Sequence, residues 1–276
     1  MGSNAIERFI LIGDHKQLPA IVLQSQEESQ IKEPALLEMG LSNLNNSLFE
    51  RLYKKYKEQN LTACFDILNK QGRMHPDIAE FPSENFYEGN LGCVGLSHQT
   101  EKWDNKNRLN FYPIKPSLQE SSTKTNINEA NKVVEICIEL YQNCLKNNEI
   151  FNAQTIGIIT PYRNQIALIR KQLQKTDIAD FSSILVDTVE RFQGSQRDII
   201  IYSFCVKTEE QIKALPNLLE ENGKQIDRKL NVALTRARKQ LFIIGNKELL
   251  EKNALYARLI EYISKASPKQ EYPVRD

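Results

Sequence analysis

Short apolar runs alternate with stretches of helical periodicity through the second half of this 276-residue chain, and this alternation constrains the fold more than any other feature. The apolar runs predict buried strands at residues 156–159, 184–189, 198–204 and 241–244. The periodic stretches predict helices at residues 129–146, 162–174, 229–238 and 247–263. Buried strands alternating with helices indicate an α/β fold with a mostly parallel sheet and helices on both faces. Ligands of such sheets bind beyond the carboxyl ends of the strands.

The first 126 residues are less regular. Residues 9–12 form a short apolar run ended by a Gly-Asp pair, which predicts a buried strand that enters a loop. Ser47 is a candidate helix cap, and Glu50 could complete a capping box with it. Residues 61–68 alternate in polarity and predict another strand, whereas residues 92–126 carry turn formers and predict a long irregular connection.

Charge and cysteine content set broader limits. The chain carries 36 Lys and Arg against 35 Asp and Glu, a net charge of +1. A domain that binds nucleic acid through bulk charge is usually more basic, so any nucleic-acid contact must be a local patch. Five cysteines without a Cys-x-x-Cys pair argue against a disulfide framework and a zinc site, and they favour a reducing, cytoplasmic compartment. No apolar run reaches about 18 residues, so we predict no membrane span.

Five segments at predicted strand ends or in loops are the candidates for the chemistry of this chain. Their sequences are GDHKQLP at 13–19, QGRMHP at 71–76, TPYRNQ at 160–165, DTVERFQG at 187–194 and LNVALTRAR at 230–238. In this order and at these spacings they resemble the later motifs of superfamily 1 helicases, in the group that includes the nonsense-mediated-decay helicase and the Dna2-type replication helicases. Two further segments support the resemblance, SLFERL at 47–52 and FPSENFYEGNL at 81–91.

The resemblance implies a RecA-like (P-loop NTPase-like) fold, a three-layer α/β domain. It assigns residues 6–52 to a remnant of a first RecA-like domain, which contains motif III and a linker helix. Residues 53–266 then form the second, C-terminal RecA-like helicase domain. Residues 1–5 have the composition of a cloning scar, and residues 267–276 form a tail.

The resemblance places three residues at the transferred phosphate of ATP: Gln17 of motif III (13–19), Arg73 of motif IV (71–76) and Arg236 of motif VI (230–238). An amide can bind a phosphate oxygen and orient water, and a planar guanidinium neutralises charge that develops on the phosphoryl group. The two arginines would act across an interdomain cleft as arginine fingers. The resemblance assigns further nucleotide contacts to Gly13, Asp14, Gln71, Gln193, Gly194 and Gln196.

A second set of residues is implied to face nucleic acid. In the family, hydroxyls and backbone amides of the second domain hold the phosphodiester of a single strand, which positions the strand without reading its sequence. The corresponding residues here are Thr160, Pro161, Tyr162, Asp187 and Thr188. Single-stranded nucleic acid is therefore the expected partner, with DNA favoured over RNA, although the residues themselves do not separate the two.

Two signatures of such motors are absent from the sequence, a G-x-x-x-x-G-K-[ST] loop and an Asp-Glu-x-x-Gln segment. In the family both precede motif III and hold the phosphates and Mg²⁺. We therefore expect a first RecA-like domain, encoded upstream, to hold ATP with Mg²⁺ and to be the partner of this chain. The chain alone is expected to be inactive, and none of its residues is assigned to a metal. Two positions also depart from the family. Gly72 stands where the family usually has an aromatic residue, and Gln196 stands where it usually has a Glu.

Two functions remain open from the sequence. The first is the C-terminal motor domain of an ATP-dependent DNA or RNA helicase or translocase. The alternative is a degenerate, non-hydrolysing module that binds nucleic acid or serves as a scaffold. Three phosphate-facing residues together favour the motor, because a pure binding module has no use for them.

Overall fold

The computed structural model describes residues 8–20, 22–25, 27–101, 107–117, 120 and 122–266. Contacts divide the chain into two compact units, Met1–Leu68 (unit 1) and Asn69–Asp276 (unit 2). The predicted scar and tail lie outside the described residues. The predicted boundary between residues 52 and 53 separates a first RecA-like domain from a second one, and this assignment stays a prediction.

Unit 1 is built from short helices. They are α1 (Pro34–Glu38), α2 (Leu48–Glu58) and a 3-10 turn at Thr62–Cys64. Ser47 caps α2 as predicted, because its Oγ accepts a hydrogen bond from the backbone N–H of Glu50 at 3.1 Å. The Glu50 carboxylate is paired with Lys54 at 2.8 Å.

Two strand predictions in unit 1 are wrong. Residues 9–12 form no strand, and the side chains of Ile10 and Ile12 are 88% and 90% exposed. Residues 61–68 contain a 3-10 turn instead of a strand. The physical reason is the lack of neighbours: a strand needs paired backbone groups, and the pairing among the described residues of unit 1 is a single bridge between Gln30 and Asn43.

Unit 2 is organised around a five-stranded sheet in which every neighbouring pair is parallel. In chain order the strands of unit 2 are β1 (Lys70–Gln71), β2 (Gly92–Cys93), β3 (Leu109–Pro113), β4 (Ile156–Ile159), β5 (Leu185–Asp187), β6 (Arg197–Ser203), β7 (Leu218–Glu221), β8 (Lys224–Asp227) and β9 (Ala237–Gly245). The order across the large sheet is β3-β9-β6-β4-β5. Strands β1 and β2 form a small parallel pair, and β7 and β8 form an antiparallel hairpin.

Helices cover both faces of the sheet. They are α3 (Pro76–Phe86), α4 (Ser97–Thr100), α5 (Ile127–Lys146), α6 (Arg163–Gln174), α7 (Val189–Phe192), α8 (Glu209–Ala214), α9 (Arg228–Leu234), α10 (Lys247–Leu250) and α11 (Ala254–Ala266), with a 3-10 turn at Ala179–Ser183. Side chains on one face of the sheet form a buried cluster with α5 and α6, in which Ile158, Ile201 and Val133 are fully buried. On the opposite face the ring of Tyr202 stacks on Phe204, which contacts Tyr256 of α11. The predicted α/β, three-layer architecture is therefore confirmed.

The predicted elements of unit 2 need three corrections. The stretch predicted as irregular, 92–126, contains the edge strand β3. This strand is formed by its pairing with β9, and its own sequence has no strand periodicity. The helix predicted at 229–238 ends at Leu234, so Arg236 lies in the turn before β9. The helix predicted at 247–263 is interrupted between α10 and α11. The hairpin β7–β8 was also missed, although Asn222 and Gly223 at its tip, both with positive φ, are the residues that such turns favour.

Candidate functional site

Motif IV forms a tight loop between β1 and α3. The side-chain Oε1 of Gln71 accepts hydrogen bonds from the backbone N–H groups of Arg73 and Met74, both at 2.7 Å. Its Nε2 donates to the carbonyl of Met74 at 2.9 Å. The Gln71 amide thus shapes its own loop, and its predicted contact with the nucleotide stays a prediction.

Arg73 joins three motifs that are far apart in the sequence. Its Nε donates to Oε1 of Gln196, just past motif V, at 3.1 Å. Its Nη1 donates to the carbonyl of Thr235 in motif VI at 3.0 Å. Burial lowers the pKa of Arg73, but a guanidinium keeps its charge in proteins. The fold therefore places a half-buried cation where motifs IV, V and VI meet.

Helix α4 contacts the motif IV loop from the side, through two residues that the sequence did not single out. His98 bonds through Nε2 to the carbonyl of Arg73 at 2.8 Å. Gln99 donates through Nε2 to the carbonyls of Gln71 and Met74, at 3.0 and 2.9 Å. Helix α4 has four residues and lies in the stretch predicted as irregular, so no periodicity could have revealed these contacts.

Arg236 is almost fully buried, with 1% of its surface exposed. Its Nε donates to the carbonyl of Val232 at 3.1 Å, and its Nη1 donates to the carbonyl of Ser195 at 3.3 Å. Its Nη2 donates to the hydroxyl of Thr235 at 3.1 Å. In this arrangement the guanidinium ties motif VI to the turn of motif V, and the predicted role at the phosphate stays a prediction.

The turn of motif V favours a glycine. Gly194 has a φ of +79°, and no atom lies within 4 Å of the position that a Cβ would take. The backbone angle, rather than crowding, therefore disfavours residues with a side chain. Gln193 and Gln196 are exposed on either side of it. Of the two, Gln196 contacts the Arg73 side chain.

Motif III lies in unit 1, where Asp14 organises the loop. The Asp14 carboxylate accepts from the backbone N–H of Lys16 at 3.0 Å and from Nε2 of Gln17 at 2.9 Å. Gly13 packs over the ring of Phe49, whose nearest atoms would lie 3.4 Å from an added Cβ. The structure thus holds Gly13, Asp14 and Gln17 in one loop.

The predicted nucleic-acid residues lie at the carboxyl ends of two adjacent strands, β4 and β5. The backbone N–H of Thr160 donates to the carbonyl of Asp187 at 3.2 Å, which joins the two segments. The Thr160 hydroxyl is buried and has no hydrogen-bond partner within the described part of the chain. Burial also raises the pKa of Tyr162. Pro161, Tyr162, Asp187 and Thr188 are partly exposed, so they are the accessible members of the set.

A buried carboxylate below the end of β6 was missed by sequence reasoning. Glu129 accepts hydrogen bonds from the hydroxyl of Ser203 at 2.7 Å, the backbone N–H of Cys205 at 2.9 Å and Nδ2 of Asn126 at 3.0 Å. Burial raises the pKa of Glu129 to about 7, although these bonds and the charge of Lys207 act in the opposite direction. Glu129 fixes Cys205, whose φ of +50° is unusual for a residue with a side chain.

No metal site and no membrane span emerge from the described residues. None of their His, Cys, Asp and Glu side chains form a group of three or more that could hold a metal ion. The same residues include no helix that is long and apolar enough to cross a bilayer.

Comparison with known proteins defines the family. Residues 44–248 match the model of a family described as AAA domain. The chain belongs to this family, as the C-terminal domain of a superfamily 1 helicase of the group that its motifs resemble.

Among curated proteins, the chain is similar to three helicases or related regulators. It is 33% identical to helicase sen1 of Schizosaccharomyces pombe over 92% of this chain and 14% of that protein. It is 34% identical to regulator of nonsense transcripts 1 of Dictyostelium discoideum over 93% of this chain and 18% of that protein. It is 32% identical to an uncharacterized ATP-dependent helicase of Methanocaldococcus jannaschii over 92% of this chain and 34% of that protein. The chain thus spans about a third or less of each of these relatives.

Proposed function

We propose that this chain is the second motor domain of an ATP-dependent helicase or translocase that moves on single-stranded nucleic acid. The observation that carries the proposal is the meeting of Arg73, Gln196 and Thr235 within hydrogen-bond distance. A binding module does not need a cation held at the junction of three motifs. A motor needs one, because a positioned guanidinium stabilises the charge on the transferring phosphoryl group.

Arg73 is the stronger candidate for an arginine finger. Among the described residues its hydrogen bonds engage Nε and Nη1, so Nη2 remains for a phosphate oxygen. Arg236 bonds to two backbone carbonyls, Val232 and Ser195, and would have to exchange at least one of them for the phosphate. Gln17 is the proposed γ-phosphate contact of motif III. Gly13, Asp14, Gln71, Gln193, Gly194 and Gln196 remain proposed nucleotide contacts.

The proposed nucleic-acid surface consists of Pro161, Tyr162, Asp187 and Thr188 at the ends of β4 and β5. Thr160 would support this surface from below, since it is fully buried and its backbone N–H is bonded to the carbonyl of Asp187. Hydroxyl, ring and amide contacts of this kind suit a single strand without sequence preference. DNA is the favoured strand, with RNA as the alternative that the assay below separates.

One part of the motor is proposed to come from outside this chain. A first RecA-like domain would hold the phosphates and Mg²⁺, and the chain alone would not hydrolyse ATP. A reducing, cytoplasmic compartment is proposed from the cysteine content of the sequence, which contains no Cys-x-x-Cys pair.

The direct assay is phosphate release from ATP by the full-length protein that contains this chain, with no nucleic acid, with single-stranded DNA and with single-stranded RNA. Stimulation by DNA alone supports the proposal as stated. Stimulation by RNA as well redirects it to an RNA motor. No hydrolysis under any condition contradicts it and supports the non-hydrolysing binding or scaffold module.

A further inference from the structure

We propose that His98 and Gln99 of α4 are positioning residues that hold the backbone of the motif IV loop, so that the Arg73 side chain is aimed at the phosphate. This inference rests on the proposed function, because it needs Arg73 to act on ATP. It adds two residues that neither the motifs nor the family match assigns to any role.

The contact of His98 is with the backbone of Arg73 itself. A carbonyl oxygen can only accept, so the 2.8 Å bond means that Nε2 of His98 carries the hydrogen. His98 is 9% exposed, which fixes its ring in place. Its other ring nitrogen, Nδ1, faces Nη2 of Arg238 at 3.5 Å, and Arg238 is paired with Asp198 at 2.6 Å. The ring therefore lies between the motif IV loop and the beginning of β9.

Gln99 holds the loop on both sides of Arg73. Its Nε2 donates to the carbonyls of Gln71 and Met74. Its Oε1 accepts from the backbone N–H groups of Gly95 and Leu96, both at 3.0 Å, so the orientation of the amide is determined. Gln99 is 3% exposed. With His98, it binds three of the four carbonyls of residues 71–74.

The Gln71 side chain binds the N–H groups of the same loop, those of Arg73 and Met74. The backbone on either side of the Arg73 Cα is therefore hydrogen-bonded from both directions. A residue that acts on a transition state must be placed closely, since a displacement of about 1 Å can cost about a hundredfold in rate. Removing a contact of α4 should accordingly lower kcat more than it changes KM.

The experiment measures kcat and KM for ATP hydrolysis by the full-length protein with saturating single-stranded DNA or RNA, whichever stimulates it. His98→Phe removes both ring nitrogens, whereas His98→Gln keeps a donor close to the position of Nε2. Gln99→Glu keeps an oxygen that accepts from the N–H groups of Gly95 and Leu96. It replaces the amide donor with a second oxygen, which cannot bond to the carbonyls of Gln71 and Met74. Thr100→Ala is the matched control, because its hydroxyl bonds within α4, to Ser97, and not to the loop.

We expect His98→Phe and Gln99→Glu to lower kcat by about 10–100-fold and to change KM by less than about threefold. His98→Gln should recover most of the rate, and Thr100→Ala should equal the wild type. In an Arg73→Ala background, His98→Phe should change kcat by less than about threefold, because the residue that it positions is gone.

Two results overturn the inference in distinguishable ways. In the first, Arg73→Ala lowers kcat, but His98→Phe and Gln99→Glu leave it unchanged, or His98→Phe lowers it by the same factor in the wild type and in the Arg73→Ala background. The positioning role of α4 then fails, and the proposed function survives. If Arg73→Ala itself hydrolyses ATP like the wild type, the arginine-finger role fails, and the positioning role fails with it.

Discussion

Nε of Arg73 donates a hydrogen bond to Oε1 of Gln196 over 3.1 Å, although 123 positions separate the two residues in the chain. The contact directs one edge of the guanidinium toward protein. A second bond, from Nη1 to the carbonyl of Thr235, fixes the guanidinium from another side. The orientation of Arg73 is thus set by motifs V and VI, and any loss of these acceptors should weaken its action on ATP.

Gln196 gives the first prediction. Gln196→Leu removes the acceptor for Nε of Arg73, and we expect kcat for ATP hydrolysis by the full-length protein to fall by about tenfold. Gln196→Glu keeps an acceptor and adds a charge-assisted bond, so its rate should stay within about threefold of the wild type. Steady-state kinetics of the two variants test this. A Leu variant as fast as the Glu variant would show that the contact does not direct Arg73.

The two arginines should differ in what they contribute to folding. Arg236→Ala leaves a cavity at an almost fully buried side chain and takes these donors from the carbonyls of Val232 and Ser195, and we expect the free energy of unfolding to fall by about 2–4 kcal/mol. Arg73→Ala removes a half-buried side chain, and the exposed Gln196 acceptor that it leaves can bind water, so the loss should be only about 1 kcal/mol. Urea unfolding of the 276-residue chain measures both. Equal losses would mean that burial does not separate the two roles.

Gly157 tests the packing of motif V against the sheet. A Cβ on Gly157 in β4 would lie 2.6 Å from the ring of Phe192 and 2.8 Å from Cγ of Arg197. Gly157→Ala should therefore lower the free energy of unfolding by about 1–3 kcal/mol through overpacking. Gly92→Ala is the control, because its nearest contact would be an ordinary 3.6 Å. Similar unfolding curves for the two variants would contradict the close approach of Phe192.

Glu129 predicts a pH dependence of stability. Its pKa is raised by burial from 4.5 to about 7 in the folded chain. Between these values the folded state binds more protons than the unfolded state, so stability falls as pH rises through this window and levels off above it. One group contributes at most about 1.4 kcal/mol per pH unit.

The measurement is the free energy of unfolding from urea titrations between about pH 5 and pH 7, compared with Glu129→Gln. The variant cannot ionise at this position, so the wild type should lose stability relative to it as pH rises. Parallel pH profiles for the two proteins would exclude Glu129 as the titrating group.

The sequence predicted the parts of unit 2 in which local pattern and tertiary structure agree. Strand β4 was predicted with its observed bounds, and α5 within two residues, because an apolar run and an amphipathic period are local signals. Strand β3 carries no such signal: it is held by its pairing with β9. The strand predicted at residues 9–12 shows the converse, since its apolar pattern is clear and its described surroundings supply no partner strand.

The same contrast holds for the candidate site. The motifs identified Arg73 and Arg236, but not that one is half-buried and the other almost fully buried. His98 and Gln99 could not be predicted, because their contacts join backbone carbonyls that only the folded loop brings within reach. Glu129 was read as an ordinary helix residue. Its burial depends on β6, which lies about 70 residues further along the chain.

We propose above that Arg73 completes the ATP site of a helicase motor. The most direct measurement is single-turnover ATP hydrolysis by the full-length protein with single-stranded nucleic acid, compared with its Arg73→Ala variant. We expect a loss of about 10³-fold or more in rate, with nucleotide affinity changed by less than about tenfold and the unfolding curve nearly unchanged. Hydrolysis by Arg73→Ala at the wild-type rate would contradict it.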